Sequence, residues 1–303
     1  VPIDIFKDAM GYLKDRYTLI RYSELHEHRM KGLDLPPRAL HISFDDGYQE
    51  CFSVVRPILL ELDIPCTFFI TTDFIDDHKL FYRNIISLCI ESFNRKSAQE
   101  KSRVLFDLNQ AHNIALEDAT SFTNWIRALR PEHEEYLEKT CFILGMNLDL
   151  LRKDLRIFMN REQILDLFED GFTIGAHTKT HRKLGLMPDE EIEKEIVDSC
   201  HCIQDITNQD IVPFSFPHSA WGVDRKLLAE LRSMYPLIGL LFDTKGLRQD
   251  VNYIVNRVWA ERPISLNTGV SSIHQTIRAA YREQCVHAIM EWGRRCYKRK
   301  SSR

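Results

Sequence analysis

Short apolar runs alternate with amphipathic segments along most of this chain, and no other feature of the sequence restricts its fold as strongly. That alternation predicts an α/β domain with a largely parallel sheet. Ile5, Phe6, Ala9, Met10 and Leu13 recur at helical spacing and define a first helix. Residues 39–44 read as a strand that ends at Asp45-Asp46-Gly47. A helix over 51–62, stopped by Pro65, leads to a second strand over 67–72. After an interruption the alternation resumes. It gives strands at 172–176, 211–216, 237–242 and 253–258, helices at 189–206 and 224–234, and a long closing helix at 271–290. Asn160-Arg161-Glu162-Gln163 opens a further helix as an N-cap with Gln three residues on, and Gly171 fits its C-terminal stop.

The interruption, at about 80–158, is different in kind. Gly145 is its only glycine, and Leu105, Leu108, Trp125, Leu129, Tyr136, Leu137, Phe142, Leu150, Leu151 and Leu155 supply apolar faces at helical spacing. We read it as a helical insertion into one domain spanning 1–303, with a C-terminal helix at about 271–295. The flanking strands must then come together to complete one site, and the insertion is expected to shape the entrance to it. At 303 residues the chain is long enough to bury a sizeable core.

A net charge of −4 gives no reason to expect nucleic acid as a partner. The basic tail from Arg294-Arg295 to Lys298-Arg299-Lys300 and Arg303 reads as a solvated end, with weak contact to anionic lipid as the sharper alternative. No run of about 18 apolar residues is present, so no membrane-spanning helix is encoded. The eight cysteines show no C-x-x-C spacing and read as small buried hydrophobes in a reducing compartment. Cys200-His201-Cys202 lies on a helix, where residues two apart face different ways. Free cysteines and the lack of a visible signal peptide favour the cytoplasm. Val1-Pro2-Ile3-Asp4 carries no initiator Met, which leaves the true start of the chain open.

Three features fall at the C-terminal ends of expected strands, where parallel sheets bind ligands. In Ser43-Phe44-Asp45-Asp46-Gly47, two adjacent carboxylates repel unless a cation lies beside them, and Gly47 lets the chain turn sharply. An exposed turn is the plain alternative. In Gly175-Ala176-His177-Thr178-Lys179-Thr180-His181, two histidines four apart share one face of a helical turn and can reach one metal. Two unrelated histidines are the alternative there. Taken together, one carboxylate and two imidazoles make an open three-ligand site, and the second carboxylate is a natural general base. Asp46 then binds metal and Asp45 takes the proton.

Ser-Phe-Asp-Asp-Gly followed by His-Thr-x-x-x-His resembles the first two motifs of the polysaccharide deacetylases, the NodB-homology carbohydrate esterases. Pro65-Cys66-Thr67-Phe68-Phe69-Ile70 and Gly171-Phe172-Thr173-Ile174-Gly175-Ala176 are similar to the flanking strands of that family. The resemblance runs from about 5 to 260, around the insertion. It implies a distorted, partly open (β/α) barrel and one divalent ion, zinc first, with cobalt, manganese or nickel as alternatives. It also implies Asp45 as catalytic base, Asp46, His177 and His181 as ligands, and an N-acylated carbohydrate as substrate.

The third motif of the family, Arg-x-Pro-Tyr-Gly, is altered here. Ser215 stands in place of its Arg and His218 in place of its Tyr, within Phe214-Ser215-Phe216-Pro217-His218-Ser219. The His218 backbone N–H can still serve an oxyanion. Arg257 is the candidate to replace the missing Arg at Asp45, against a plain surface or interface role. No Leu-x-His, the usual source of the general acid, follows residue 218. His274 and His287 fall on the closing helix, so His218 is the choice for the acid. Pro217 and Trp221 are candidate substrate contacts, and Trp221 can equally be core.

Rival readings are a non-haem iron oxygenase, a catalytically impaired carbohydrate-binding relative, and a deformylase or other C–N amidohydrolase on the same fold. The expectation is hydrolysis of the N-acetyl group of an amino sugar in a polysaccharide or glycan precursor.

Overall fold

The computed structural model of the chain describes residues 2–260 and 270–301, without the side chains of 153, 270–272, 288–289 and 291–301. In chain order the elements are α1 (Ile3–Arg16), β1 (Thr18–Leu19), α2 (Tyr22–Lys31), β2 (Ala39–Leu40), β3 (Ile42–Phe44), α3 (Arg56–Glu61) and β4 (Cys66–Ile70). Five helices follow: α4 (Tyr82–Arg95), α5 (Ala98–His112), α6 (Ala119–Ala128), α7 (Glu134–Ile143) and α8 (Leu148–Leu155). Then come α9 (Arg161–Glu169), β5 (Thr173–Ala176), α10 (Asp189–Thr207), β6 (Val212–Ser215), α11 (Arg225–Met234), β7 (Ile238–Asp243), β8 (Ile254–Asn256) and α12 (Val270–Ser301). The chain divides into two compact units, one of Val1–Thr72 with Arg161–Arg303 and one of Asp73–Asn160.

In the first unit β3 to β8 form one six-stranded sheet in sequence order, every pair parallel. Each crossover therefore steps the same way, with no reversal of strand order, which is the winding of a (β/α) barrel. β3 and β8 remain as edges, so the barrel is partly open. All C-terminal strand ends lie at one rim. The register brings Ile70 opposite Ala176 and Ala176 opposite Phe214, so residues after 44, 70, 176, 215 and 256 share that rim.

The strands are apolar because they are covered on both faces. β4, β6 and β7 are buried at every position, whereas edge strand β3 is only half-buried. Ile192, Ile196, Cys200 and Ile203 repeat along one face of α10, and all four are buried. A satellite core gathers Ile20, Tyr22, Leu25, Phe69, Leu240 and Phe242. Each large apolar side chain buried there contributes roughly 2–3 kcal/mol.

The expected strand over 39–44 is broken at His41, whose ring nitrogens reach the Ile20 carbonyl at 2.9 Å and the Thr67 hydroxyl at 3.0 Å. β2 pairs with β1 in a separate two-stranded sheet, and only β3 joins the barrel. The helix expected from 51 begins as a π-turn over Cys51–Val55, closed by the Arg56 N–H on the Cys51 carbonyl. Pro57 lies just inside α3; its ring would clash with the carbonyl four residues back, and the wider turn relieves this.

The second unit is all helical and has its own core, including Cys89, Phe93, Leu105, Leu108, Phe122 and Ile126. Ser97 caps α5 in a reciprocal capping box with Glu100, and Asp118 caps α6 through the Ser121 N–H at 2.7 Å. Four of the apolar positions expected to face inward do not. Phe142 is 82% exposed, and Tyr136, Leu150 and Leu155 are exposed as well. On α7 the buried stripe is Leu137 and Cys141; Phe142 follows Cys141 and is turned about 100° away from it. The basic side chains of the C-terminal tail lie outside the described residues. No described helix is long and apolar enough to cross a membrane.

Candidate metal centre

Asp45 and Asp46 follow β3 directly, and the chain turns there with Asp46 at φ 75° and Gly47 at φ 85°. A Cβ on Gly47 would also come within 3.2 Å of the Ile70 side chain, so both conformation and space favour glycine. His177 follows β5, with its N–H on the Ile70 carbonyl at 2.8 Å. Its Nδ1 meets the Ser215 carbonyl at 2.8 Å, which makes Nδ1 the protonated nitrogen and leaves the Nε2 lone pair free to coordinate.

His177 and His181 are not on a helix. Thr178 at φ 64° and His181 at φ 58° bend the segment into an irregular loop, and the His181 N–H donates to the Thr178 hydroxyl at 3.0 Å. The expected common face arises from this turn instead of from helical periodicity. The two rings lie 5.0 Å apart. His181 Nε2 is 3.0 Å and His177 Nε2 3.4 Å from Asp46 Oδ1. One donor atom from each of Asp46, His177 and His181 lies within 4.8 Å of the others, and both histidines are buried. Two imidazoles and one carboxylate on so small a triangle suit a divalent ion that keeps open positions.

Asp45 is the other half of the centre. Arg257 follows β8 and spans the open side of the barrel, donating from Nη1 to Oδ1 and from Nη2 to Oδ2, each at 2.7 Å. The same guanidinium donates to the Ser43 hydroxyl at 2.9 Å and to the Ser215 hydroxyl at 2.5 Å. Ser215, standing where the family carries Arg, thus holds the arginine that comes from another strand. Burial opposes charge on Asp45, but Arg257 and His177 outweigh it and hold the pKa below the ordinary carboxylate range. Asp46 is likewise held low: burial is overcome by the two imidazoles, His177 and His181, beside it. His177 moves the other way, because Asp45 and Asp46 outweigh the burial that would neutralise it.

His218 is at φ 64°, exposed, with its ring centre 5.3 Å from that of His181. Its carbonyl accepts from the Thr244 hydroxyl at 2.7 Å. Buried Asp243 accepts from the Ala220 and Thr244 N–H groups at 2.9 and 2.8 Å and so braces the same loop. Pro217, just before it in the chain, is buried. Trp221 is not core: it is 63% exposed, with the Lys183 ammonium 5.3 Å from its ring centre. His274 and His287 fall on α12. Cys200 and Cys202 are free thiols on α10, Cys200 buried, and form no metal cluster among the described residues.

Glu195 belongs to no motif of the sequence, yet it holds the loop between the two histidines. This buried residue of α10 accepts hydrogen bonds from the Lys179 and Thr180 N–H groups at 2.8 and 2.9 Å. Its signal was available: a charged residue three positions after Ile192 and one before Ile196 lies on the helix face that must be buried.

Comparison with known proteins gives the family and the fold. The family model for polysaccharide deacetylase matches residues 32–111 and 118–234, more than half of the chain. The chain therefore belongs to the polysaccharide deacetylase family, hydrolases that act on carbon–nitrogen bonds other than peptide bonds. The fold is similar to that of the Streptococcus pyogenes deacetylase PplD in complex with acetate (14% identity, TM-score 0.55, 91% of this chain and 87% of that one). It is also similar to IcaB from Ammonifex degensii (15% identity, TM-score 0.54, 90% and 89% covered). A de-N-acetylase from Aggregatibacter actinomycetemcomitans shares it too (15% identity, TM-score 0.55, 90% and 88% covered). No curated protein sequence matches the chain.

Proposed function

We propose that this chain removes the N-acetyl group from an amino sugar in a polysaccharide or glycan precursor, with one divalent ion, zinc first, held by Asp46, His177 and His181. The observation that carries the reading is the Arg257 fork on Asp45 beside that triad. Binding alone needs no oriented, ionised carboxylate there, which argues against a carbohydrate-binding relative without activity. When bound, the ion supplies Lewis-acid polarisation of the amide carbonyl and lowers the pKa of a nearby water.

The chain's own residues do the rest. Asp45, ionised and fixed by Arg257, takes a proton from the water that attacks the carbonyl carbon. The His218 N–H donates to the developing oxyanion. As the C–N bond breaks, the His218 imidazolium gives its proton to the departing nitrogen, and acetate and a free amine result. Trp221 offers its exposed ring as an apolar wall for a sugar.

The experiment is amine and acetate release from N-acetylglucosamine oligomers of increasing length, by chelator-treated protein before and after addition of zinc or cobalt. Release that appears only with metal supports the reading. Release from N-formyl substrates alone moves the reaction to another C–N amidohydrolase. No release from either class, with metal bound, contradicts it.

A further inference from the structure

Thr178 and His181 both lie in the left-handed region, at φ 64° and 58°, and Thr178 is β-branched. Residues in such conformations persist only where their surroundings hold them. His177 is tied to the sheet rim through the Ile70 and Ser215 carbonyls. The segment that continues to His181 is tied to Glu195.

Glu195 is 6% exposed and projects from the buried face of α10. Its Oε2 accepts from Lys179 N at 2.8 Å and Thr180 N at 2.9 Å, and its Oε1 accepts from Thr180 Oγ1 at 2.5 Å. All three donors lie between the two histidines. The Lys179 ammonium turns away to Asp198 at 3.0 Å, so backbone and hydroxyl donors meet the buried carboxylate. A buried carboxylate demands such donors, and a loop with two adjacent N–H groups pointing the same way demands an acceptor. Each explains the other.

We propose that Glu195 is a positioning residue of the metal centre: its carboxylate fixes the loop that aims His181 at the ion shared with the sheet-held His177. The inference rests on Asp46, His177 and His181 being the ligands. Partners that orient ligands in this way typically govern metal affinity by about 10- to 100-fold.

The test is zinc affinity by calorimetry and the visible spectrum of the cobalt-substituted protein for wild type, Glu195→Ala, Glu195→Gln, Ile196→Ala and Asp46→Asn, each with its thermal midpoint. Glu195→Ala should raise the zinc Kd on the order of 10- to 100-fold and alter the cobalt spectrum. Glu195→Gln keeps one carbonyl acceptor and should fall between it and wild type. Ile196→Ala, which hollows the same helix face and removes no hydrogen bond to the loop, should lower the thermal midpoint and keep the wild-type Kd. The proposal is overturned if both Glu195 variants bind zinc like wild type with an unchanged cobalt spectrum. It is overturned equally if Ile196→Ala weakens zinc as much as Glu195→Ala does. If Asp46→Asn binds zinc like wild type, the ligand assignment itself fails and the inference falls with it. If Asp46→Asn loses zinc while the Glu195 variants keep it, only the Glu195 assignment fails.

Discussion

At Asp45 two nitrogens of Arg257 meet two carboxylate oxygens, while the guanidinium carbon lies 5.2 Å from the ring centre of Phe69 and 5.9 Å from that of Phe242. A planar fork resting on two adjacent aromatic rings fixes direction as well as charge, which an ammonium does not. Arg257→Lys is therefore expected to lower kcat by roughly 100-fold with metal content unchanged, because it misplaces the base without touching the ligands. Ser215→Ala removes one of the contacts on Arg257 and leaves the fork, so a loss of less than about tenfold is expected. Steady-state kinetics on metal-loaded protein measure both, and equal losses would contradict the separation of roles. At this scale the sequence is legible wherever the chemistry is local. Asp45 with Asp46, and His177 with His181, stand close enough in the chain to be read as pairs. Arg257 could only be nominated, because a contact across 212 positions leaves no local spacing to read. Glu195 stands beside Ile196 on a face that the sequence marks as buried, but its partners are the Lys179 and Thr180 N–H groups, which no side-chain pattern encodes.

Among the elements, β5 and the loops at the rim depend on close backbone approach. A Cβ on Gly175 would stand 2.5 Å from the Phe69 ring and 2.8 Å from the Pro213 carbonyl, inside a fully packed sheet. Gly175→Ala is expected to destabilise the protein by about 2–3 kcal/mol, read from urea unfolding. Gly185 is tighter still, with a Cβ position 1.9 Å from the Trp221 carbonyl. Gly185→Ala must separate the loop after His181 from the loop carrying His218 and Trp221. The expected signature is a larger loss of activity than of unfolding free energy, and a variant that keeps wild-type kcat would contradict this. The order of helices and strands was readable from apolar periodicity, since burial on two faces imposes it. The break at His41 and the irregular turn at Thr178 were not, because both arise from side-chain and loop hydrogen bonds that a periodic pattern does not encode. The exposed Phe142 had a similar cause: on a short helix, one residue's offset decides which apolar side chain faces in.

For the whole molecule, the direction of acid sensitivity follows from a group outside the catalytic set. Burial, together with the nearby Arg257 charge and against the Ile20 hydrogen bond, pushes the His41 pKa down to about 4 from an ordinary 6.5. The unfolded chain then takes up a proton at His41 at higher pH than the folded one. Its contribution to stability is complete above about 6.5 and is lost as pH falls toward 4. His26 and His112, both lowered chiefly by burial, act in the same direction. Wild type should lose on the order of 2 kcal/mol between pH 7 and pH 5 in urea unfolding, and His41→Gln should lose distinctly less. Equal losses in the two proteins would contradict the assignment. At this scale the (β/α) class was legible from alternation and from the two motifs. The partly open barrel followed from the resemblance carried by those motifs, and the Arg257 contacts to Ser43 and Asp45 across the two edge strands are what the structure adds.

The central claim is that Asp45, held by Arg257 beside the Asp46–His177–His181 site, is the base that drives amide hydrolysis. The most direct measurement is acetate release by metal-loaded Asp45→Asn at equal zinc content. Asparagine keeps the shape and removes the basic oxygen. Zinc should bind as in wild type and the rate should fall by at least about a thousandfold. A rate unchanged from wild type at equal zinc content would contradict it.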